Sequence, residues 1–325
     1  MSSAATFQQG IYRSGLVRRL VRWLDAIPHP PVAIEIAPDR VAVARWGRTG
    51  SLDEFAFETV PPGAIIPSAV EINLVNSAAA KSAIAKACDR VRAQDLDVAL
   101  ILPDPVIRVF VQHFEEFPRS SQEAIPLLRW KLKKSVPFEA DETIISYFRQ
   151  APREAGVDVV TALGRLRIIR EYESLAEGVG LYPGVVLSST LAAISLLEDD
   201  GPTLLARISG SALTTAIVRS GVLCGYRCTE LPAHGADLTP QMLLEEIFPV
   251  AAYFQDTCHQ GIASVRIAGL SGRLSEFAGP LEQEFHCQVQ SLLHSAYLEG
   301  RIKEDVRQLA DRDLEGLVGW TLHRG

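Results

Sequence analysis

The chain has 325 residues, 47% hydrophobic and 22% charged, which suits two domains or one large bilobal domain with a full core. A formal net charge of −7 argues against a dedicated nucleic-acid binder, which would carry a basic excess. The five cysteines, at 88, 224, 228, 258 and 287, fit reduced thiols in a cytosol, and no apolar run approaches the roughly 20 residues of a bilayer span.

In chain order, residues 1–30 read as a tail followed by a basic amphipathic helix at 11–24. Leu16, Val17, Leu20, Val21 and Leu24 share one face of it, and Arg18, Arg19 and Arg22 lie off that face. Such a helix lies on an anionic membrane surface or packs on its own domain; the pattern does not choose between them. The start of the chain lacks the continuous apolar segment and small-residue cleavage site of a secretory signal. Residues 32–46 alternate as strand, turn and strand, with Ile34 and Ile36 on one side of the turn at Pro38-Asp39 and Val41 and Val43 on the other. A third strand is predicted at 52–59. A helix is predicted from a cap at Asn76 or Ser77 to Arg92, with Ala80, Ile84, Ala87, Cys88 and Val91 at helical spacing. Residues 98–102 form a short continuous apolar run, the signature of a strand buried on both faces.

From residue 106 the order becomes strand, helix, strand, strand, helix, the size and pattern of an inserted subdomain. Its first helix is capped by Ser120 or Ser121 and is predicted to run to Lys134. A short strand at 185–187 and a helix at 191–198, capped by Ser189 or Thr190, lead to a hinge at 199–202. Residues 203–228 then read as a three-strand antiparallel meander with small-residue turns at Ser209-Gly210-Ser211-Ala212 and Ser220-Gly221. A helix at 240–255 turns Met242, Ile247, Val250, Ala251 and Phe254 inward. A strand at 264–268, a helix at 274–285 and a strand at 289–293 follow. A last helix starts at Arg307 or Asp313 and ends at Leu322.

Two halves that each open with a meander and continue with alternating strands and helices resemble the actin-like ATPase superfamily. Within it, the chain is similar to the PilM family of type IV pilus assembly, relatives of FtsA. The most particular segment is 128–147, where Lys133, Lys134, Pro137, Phe138, Glu142 and Tyr147 match a basic helix end, a Pro-Phe turn and an acidic-to-Tyr spacing. Residues 62–66, 178–185, 225–231 and 242–255 match further family segments in the same order. The resemblance implies an α/β actin-like fold with two ribonuclease-H-like lobes. Residues 31–105 would begin lobe I, 106–182 would be the insert, and 183–202 would return to lobe I through the hinge. Residues 203–299 would form lobe II, with a small subdomain at 232–262, and 300–325 would carry a C-terminal helix on lobe I.

The same resemblance places a nucleotide between two glycine turns, each led by an acidic residue. Here the first turn is Glu35-Ile36-Ala37-Pro38, and an alanine, Ala42, stands at the lysine position. Pro38 has no N–H for a phosphate and Ala37 adds a Cβ where close approach is needed. In the second turn the acidic position is Arg207, and a cation does not help hold Mg²⁺. The adenosine motif keeps Gly269, but its paired glycine is Leu270. The expectation is therefore no catalytic residue, no metal and no required cofactor. Residual binding of ATP and Mg²⁺ through Glu35, Ser209, Gly210, Ser211 and Gly269 stays open as the alternative, as does an ATPase or kinase of the same superfamily.

The family implies a cytoplasmic scaffold, peripheral to the inner membrane face, for a type IV pilus or type II secretion-like platform. Its partners would be the N-terminal cytoplasmic peptide of a PilN-like membrane protein and other platform proteins, with no nucleic acid. By segment, the expected partner-binding residues are Val109, Val111, Arg129, Lys133 and Phe138. Membrane contact through residues 11–24 is a further expectation. Glu71-Ile72-Asn73-Leu74 resembles the asparagine-leucine peptide that PilN presents, and is read as coincidence. Cys224 and Cys228, two even steps apart on one strand, are expected on one face as buried thiols.

Overall fold

The computed structural model describes residues 30–46, 52–152, 156–197, 201–233, 235–270, 272–294 and 306–322 without 307 and 310. The helix expected at 11–24, residues 199 and 200 of the hinge, and the alternative helix start at 307 lie outside them.

Strand β1 (Val32–Ile36) pairs antiparallel with β2 (Arg40–Trp46), and β2 with β3 (Leu52–Thr59). Helix α1 (Ser77–Arg90) follows, its N-cap Asn76 accepting a hydrogen bond from the Ala79 amide. It stops two residues short of the expected Arg92, which takes a left-handed φ of 51° and so breaks the helix. Strand β4 (Asp97–Leu102) returns parallel to β1. After β5 (Arg108–Phe114) comes α2 (Ser121–Leu132), which ends before Lys133 because the chain turns toward Pro137. Strands β6 (Thr143–Pro152) and β7 (Val157–Arg165), α3 (Leu166–Glu177) and β8 (Tyr182–Ser188) complete this half. Helix α4 (Ser189–Ala193) is shorter than expected and is capped by Ser188, which leaves the hydroxyls of Ser189 and Thr190 for other partners.

The second half repeats the plan. Strands β9 (Pro202–Ser209), β10 (Ala212–Arg219) and β11 (Val222–Glu230) form the meander. Helix α5 (Pro240–Cys258), β12 (Ser264–Ala268), α6 (Leu274–Phe285) and β13 (Gln288–Ser291) follow, then α7 (Glu315–Leu322). The sheets have the orders β3-β2-β1-β4-β8 and β11-β10-β9-β12-β13, the same arrangement twice. In each, an antiparallel meander supplies one half and parallel strands fed by helices supply the other. The parallel strands are covered on both faces, so Val98 to Leu102 are wholly buried.

The third sheet, β5-β7-β6, comes between β4 and β8 in sequence. Helix α2 packs on it through Ala124 and Leu128 against Phe114, Phe117 and Val159. The insert is also tied to lobe II. Buried Gln150 donates to the Leu223 carbonyl and accepts from the Leu223 amide, both at 2.8 Å, as a strand neighbour would. In lobe I, Asn73 is fully buried and organises the loop before α1. Its Oδ1 accepts from the Ser68 amide and the Tyr172 hydroxyl, and its Nδ2 donates to the carbonyls of Ser68 and Glu71. The stretch 71–74 is thus held by its own domain.

Candidate functional site

The two lobes meet where the ends of β1 and β9 converge. Glu35 on β1 and Arg207 on β9 are buried, and Arg207 Nη2 lies 3.1 Å from Glu35 Oε1. The guanidinium also faces Asp104 Oδ2 and Glu315 Oε2, each at 3.5 Å, and donates to the Asp313 carbonyl at 2.7 Å. These groups come from β1, the turn after β4, β9 and the start of α7, so one side chain joins both lobes and the C-terminal helix. Asp104 accepts from the Thr190 amide and hydroxyl, from the Thr214 hydroxyl and from the Tyr226 hydroxyl, at 2.6–3.0 Å. Thr214 and Tyr226 belong to lobe II, so Asp104 is a second inter-lobe junction.

Helix α7 closes the site from below. Its Leu317 amide donates to Glu35 Oε2 at 2.6 Å, and the Ser189 hydroxyl donates to Glu35 Oε1. A carboxylate at a helix N-terminus is held by unpaired amides and by the helix dipole. The close approach needs glycine. A Cβ on Gly316 would sit 2.7 Å from Glu35 Oε1, and one on Gly319 would press on the backbone of Ala192 and Ala193. Asp313 takes a left-handed φ of 55°, which turns its carbonyl to Arg207, while its carboxylate meets Arg40 at 3.3 Å.

Three carboxylates around one guanidinium, all out of water, set the electrostatics. Burial pushes Glu35 above the ordinary carboxylate range, against Arg207 and the bonds from Ser189 and Leu317. Burial likewise lifts Glu315 to about 7, with Arg207 opposing and Asp313 adding to the rise. For Arg207, burial disfavours the charge, but Glu35, Glu315, Asp104 and Asp313 outweigh it and hold the guanidinium protonated. Burial and then Asp104 raise the Tyr226 phenol well above its usual value.

The two turns expected to hold phosphates are packed on one another. A Cβ on Gly210 would lie 3.3 Å from Pro38 Cγ. Ser209, Gly210 and Ser211 are exposed or half-buried at the tip of the β9–β10 hairpin. Gly269, at a φ of 83°, lies against the Ile208 carbonyl, and its amide donates to Glu315 Oε1 at 3.2 Å. The five expected nucleotide residues are therefore gathered at one place, but Glu35 and Gly269 are bonded to groups of the chain itself. Among the described residues no three His, Cys, Asp or Glu side chains are arranged to hold a metal ion. These residues do not fit a magnesium nucleotide: the carboxylates that could order its water shell are directed at Arg207, and Pro38, which has no N–H to offer a phosphate, packs against Gly210 of the second turn.

A second concave surface lies between the insert and lobe I. It encloses about 680 Å³ and is lined by Ile144 and Tyr147 of β6, Ile125 of α2, and Val185 and Leu187 of β8. β6 and β8 are each the last strand of their sheet. Ile144 is 42% exposed. A polar cavity of about 670 Å³ joins Lys133 and Phe138 to Val70, Arg165 and Arg167. Val109 and Val111 are on β5, the strand that packs against β11 of lobe II. Arg129 donates to the Thr143 carbonyl at 3.3 Å. The five expected partner residues are thus spread over three places, and none lines the larger groove.

Cys224 and Cys228 correct the sequence reading. The pairing of β10 with β11 slips between Ile217 and Val218, so a bulge falls at Cys224 and the alternation inverts. Cys224 packs on the lobe II core, whereas Cys228 lies near Asp104 and Thr214 on the inter-lobe side, where burial pushes its thiol up to about 12.

No family model matches this sequence, and no curated protein matches it either. Solved structures do. The chain superposes on the PilM–PilN type IV pilus biogenesis complex with a TM-score of 0.71 at 16% identity, covering 91% of this chain and 98% of that one. It superposes on a Bacteroides thetaiotaomicron protein with actin-like ATPase fold and unknown function with a TM-score of 0.50 at 11% identity, covering 82% of this chain and 92% of that one. The chain has the actin-like ATPase fold. The two meander-led halves and the small α/β insert are the features of that fold read from the sequence, and the structure adds the repeated strand order.

Within the actin-like fold, Asp104, Glu315, Asp313 and Tyr226 are the site residues that the sequence did not point to. Asp104 sits in a Pro-Asp-Pro turn that reads as a strand terminator. Glu315 and Asp313 read as the acidic start of a helix. A buried arginine at a strand position otherwise acidic was the available signal, because such a cation requires carboxylates nearby.

Proposed function

We propose that this chain is a non-catalytic scaffold of the PilM kind. It would hold the cytoplasmic N-terminal peptide of a PilN-like membrane protein within a type IV pilus or type II secretion-like platform. It would work in the cytoplasm at the inner membrane face. The observation that carries this reading is the groove between β6 and β8, in a chain that superposes over nine-tenths of its length on a PilM–PilN complex. Its walls are mostly apolar, and both rims are edge strands whose outer N–H and C=O groups can pair with an extended peptide. Apolar side chains of that peptide would fill the space beside Ile125, Ile144 and Val185.

In this proposal the nucleotide cleft has become a structural joint. Arg207 supplies the positive charge between carboxylates that a bound metal supplies in an ATPase, and it does so permanently. The lobes would then keep one relative position without a nucleotide cycle, which suits a protein whose role is to present a groove.

The test is a fluorescence titration of a labelled PilN-like N-terminal peptide into the full chain. Saturable binding that competes with unlabelled peptide is expected, and Ile144→Glu should weaken it at least tenfold. Failure of the peptide to bind at micromolar concentration would overturn the assignment.

A further inference from the structure

We propose that the C-terminal end of α2 is a contact surface for an anionic bilayer. Helix α2 buries Ala124, Leu128 and Leu132. At 100° per residue, the opposite face carries Pro126 and Trp130, with Lys133 and Lys134 continuing it into the next turn. Trp130 is 76% exposed, more than any other large apolar side chain among the described residues. Lys133 and Lys134 follow it at three and four residues and are exposed. An exposed indole beside two ammonium groups joins an amphipathic ring to charges of one sign.

The neighbouring cations are engaged elsewhere, which defines the surface. Arg129 turns to the Thr143 carbonyl, and Lys131 donates to the His113 carbonyl at 3.2 Å and lies 3.8 Å above the Phe114 ring. What faces outward is an indole and two compact charges on flexible stems, with Lys133 also bordering the polar cavity lined by Glu71, Glu139 and Glu142. Residues 127–136 hold four basic and no acidic residues in a chain of net charge −7. Phosphate groups of a nucleic acid or carboxylates of a peptide would be gripped by guanidinium forks in a groove. Here the guanidinium of the segment points inward and the surface is the outer face of a helix. Tryptophan at the headgroup level with lysines reaching to lipid phosphates is the chemistry of an anionic bilayer interface. Each lysine is worth on the order of fivefold in affinity for such a surface. The contact would therefore be weak and would add to a tether held elsewhere. The surface is separate from the β6–β8 groove, so its test needs no peptide.

The full chain is mixed with vesicles of phosphatidylglycerol and phosphatidylcholine carrying brominated acyl chains, and tryptophan quenching is read. Quenching is expected with the anionic vesicles, not with phosphatidylcholine alone, and Trp130→Phe should remove most of it. K133Q/K134Q should lower vesicle affinity at least tenfold, with glycerol phosphate a poor competitor. Quenching unchanged in Trp130→Phe, as contact through residues 11–24 would give, overturns the proposal. So does a double variant that keeps its vesicle affinity while losing an acidic peptide, an oligonucleotide or self-association.

Discussion

The cleft between the lobes and the groove beside the insert are both concave, yet they are built on opposite principles. The cleft is lined by charges, and each is answered by another part of the same chain: Arg207 by Glu35, Asp104 and Glu315, and Glu35 by the first turn of α7. The groove is lined mostly by aliphatic side chains and bounded by two strands whose outer edges carry, among the described residues, no neighbouring strand of their sheets. In the first, sequence positions more than a hundred residues apart have been joined and water excluded. In the second, apolar surface such as Ile144 stays accessible. In the proposed function, a fold with two places for a ligand has converted one into a joint and kept the other for recognition.

The contrast can be broken most forcefully at Arg207. Arg207→Ala leaves three carboxylates buried without their cation, and the expected loss is about 3–5 kcal/mol of stability, read from the urea midpoint. A loss under about 1 kcal/mol would mean that the cluster is not the joint described. The next effect in size concerns the seating of α7. Gly319→Ala drives a methyl group into the backbone at Ala192, so about 1–3 kcal/mol should be lost. Faster hydrogen exchange should follow across both α7 and β1, because Glu35 depends on the helix.

The groove should respond in the other currency. Ile144→Glu is expected to leave the melting temperature within experimental error while reducing peptide affinity at least tenfold. A fall in stability with affinity intact would reverse the roles assigned to the two regions. The last test is the pH dependence of the cleft. Folding raises the Glu315 carboxyl from about 4.5 to about 7, so the folded state holds that proton more tightly. The stability this adds is complete below the lower value and is lost as pH rises through the upper one. Urea midpoints between about pH 5 and pH 8 should therefore decline, and Glu315→Gln should flatten the slope.

The meanders, their small-residue turns and the continuous apolar strand at 98–102 are local patterns, and the sequence reveals them. The substitutions at Ala37, Pro38 and Arg207 are equally visible beside the motifs of the superfamily. The partners of Arg207 are not, since Glu35, Asp104 and Glu315 meet only after both lobes and the final helix have docked. The α7 helix reads only as a closing helix, and its small residues at 316 and 319 show their purpose only against α4. One inserted residue at the β11 bulge was enough to invert the faces expected for Cys224 and Cys228. The groove is invisible for a related reason: its walls come from β6, α2 and β8, each unremarkable alone.

The most direct measurement is a calorimetric titration of ATP with Mg²⁺ into the full-length chain at neutral pH. A joint already closed by Arg207 predicts no saturable heat at millimolar nucleotide. Stoichiometric, magnesium-dependent binding would contradict it, because the carboxylates could not serve the metal while they hold the guanidinium.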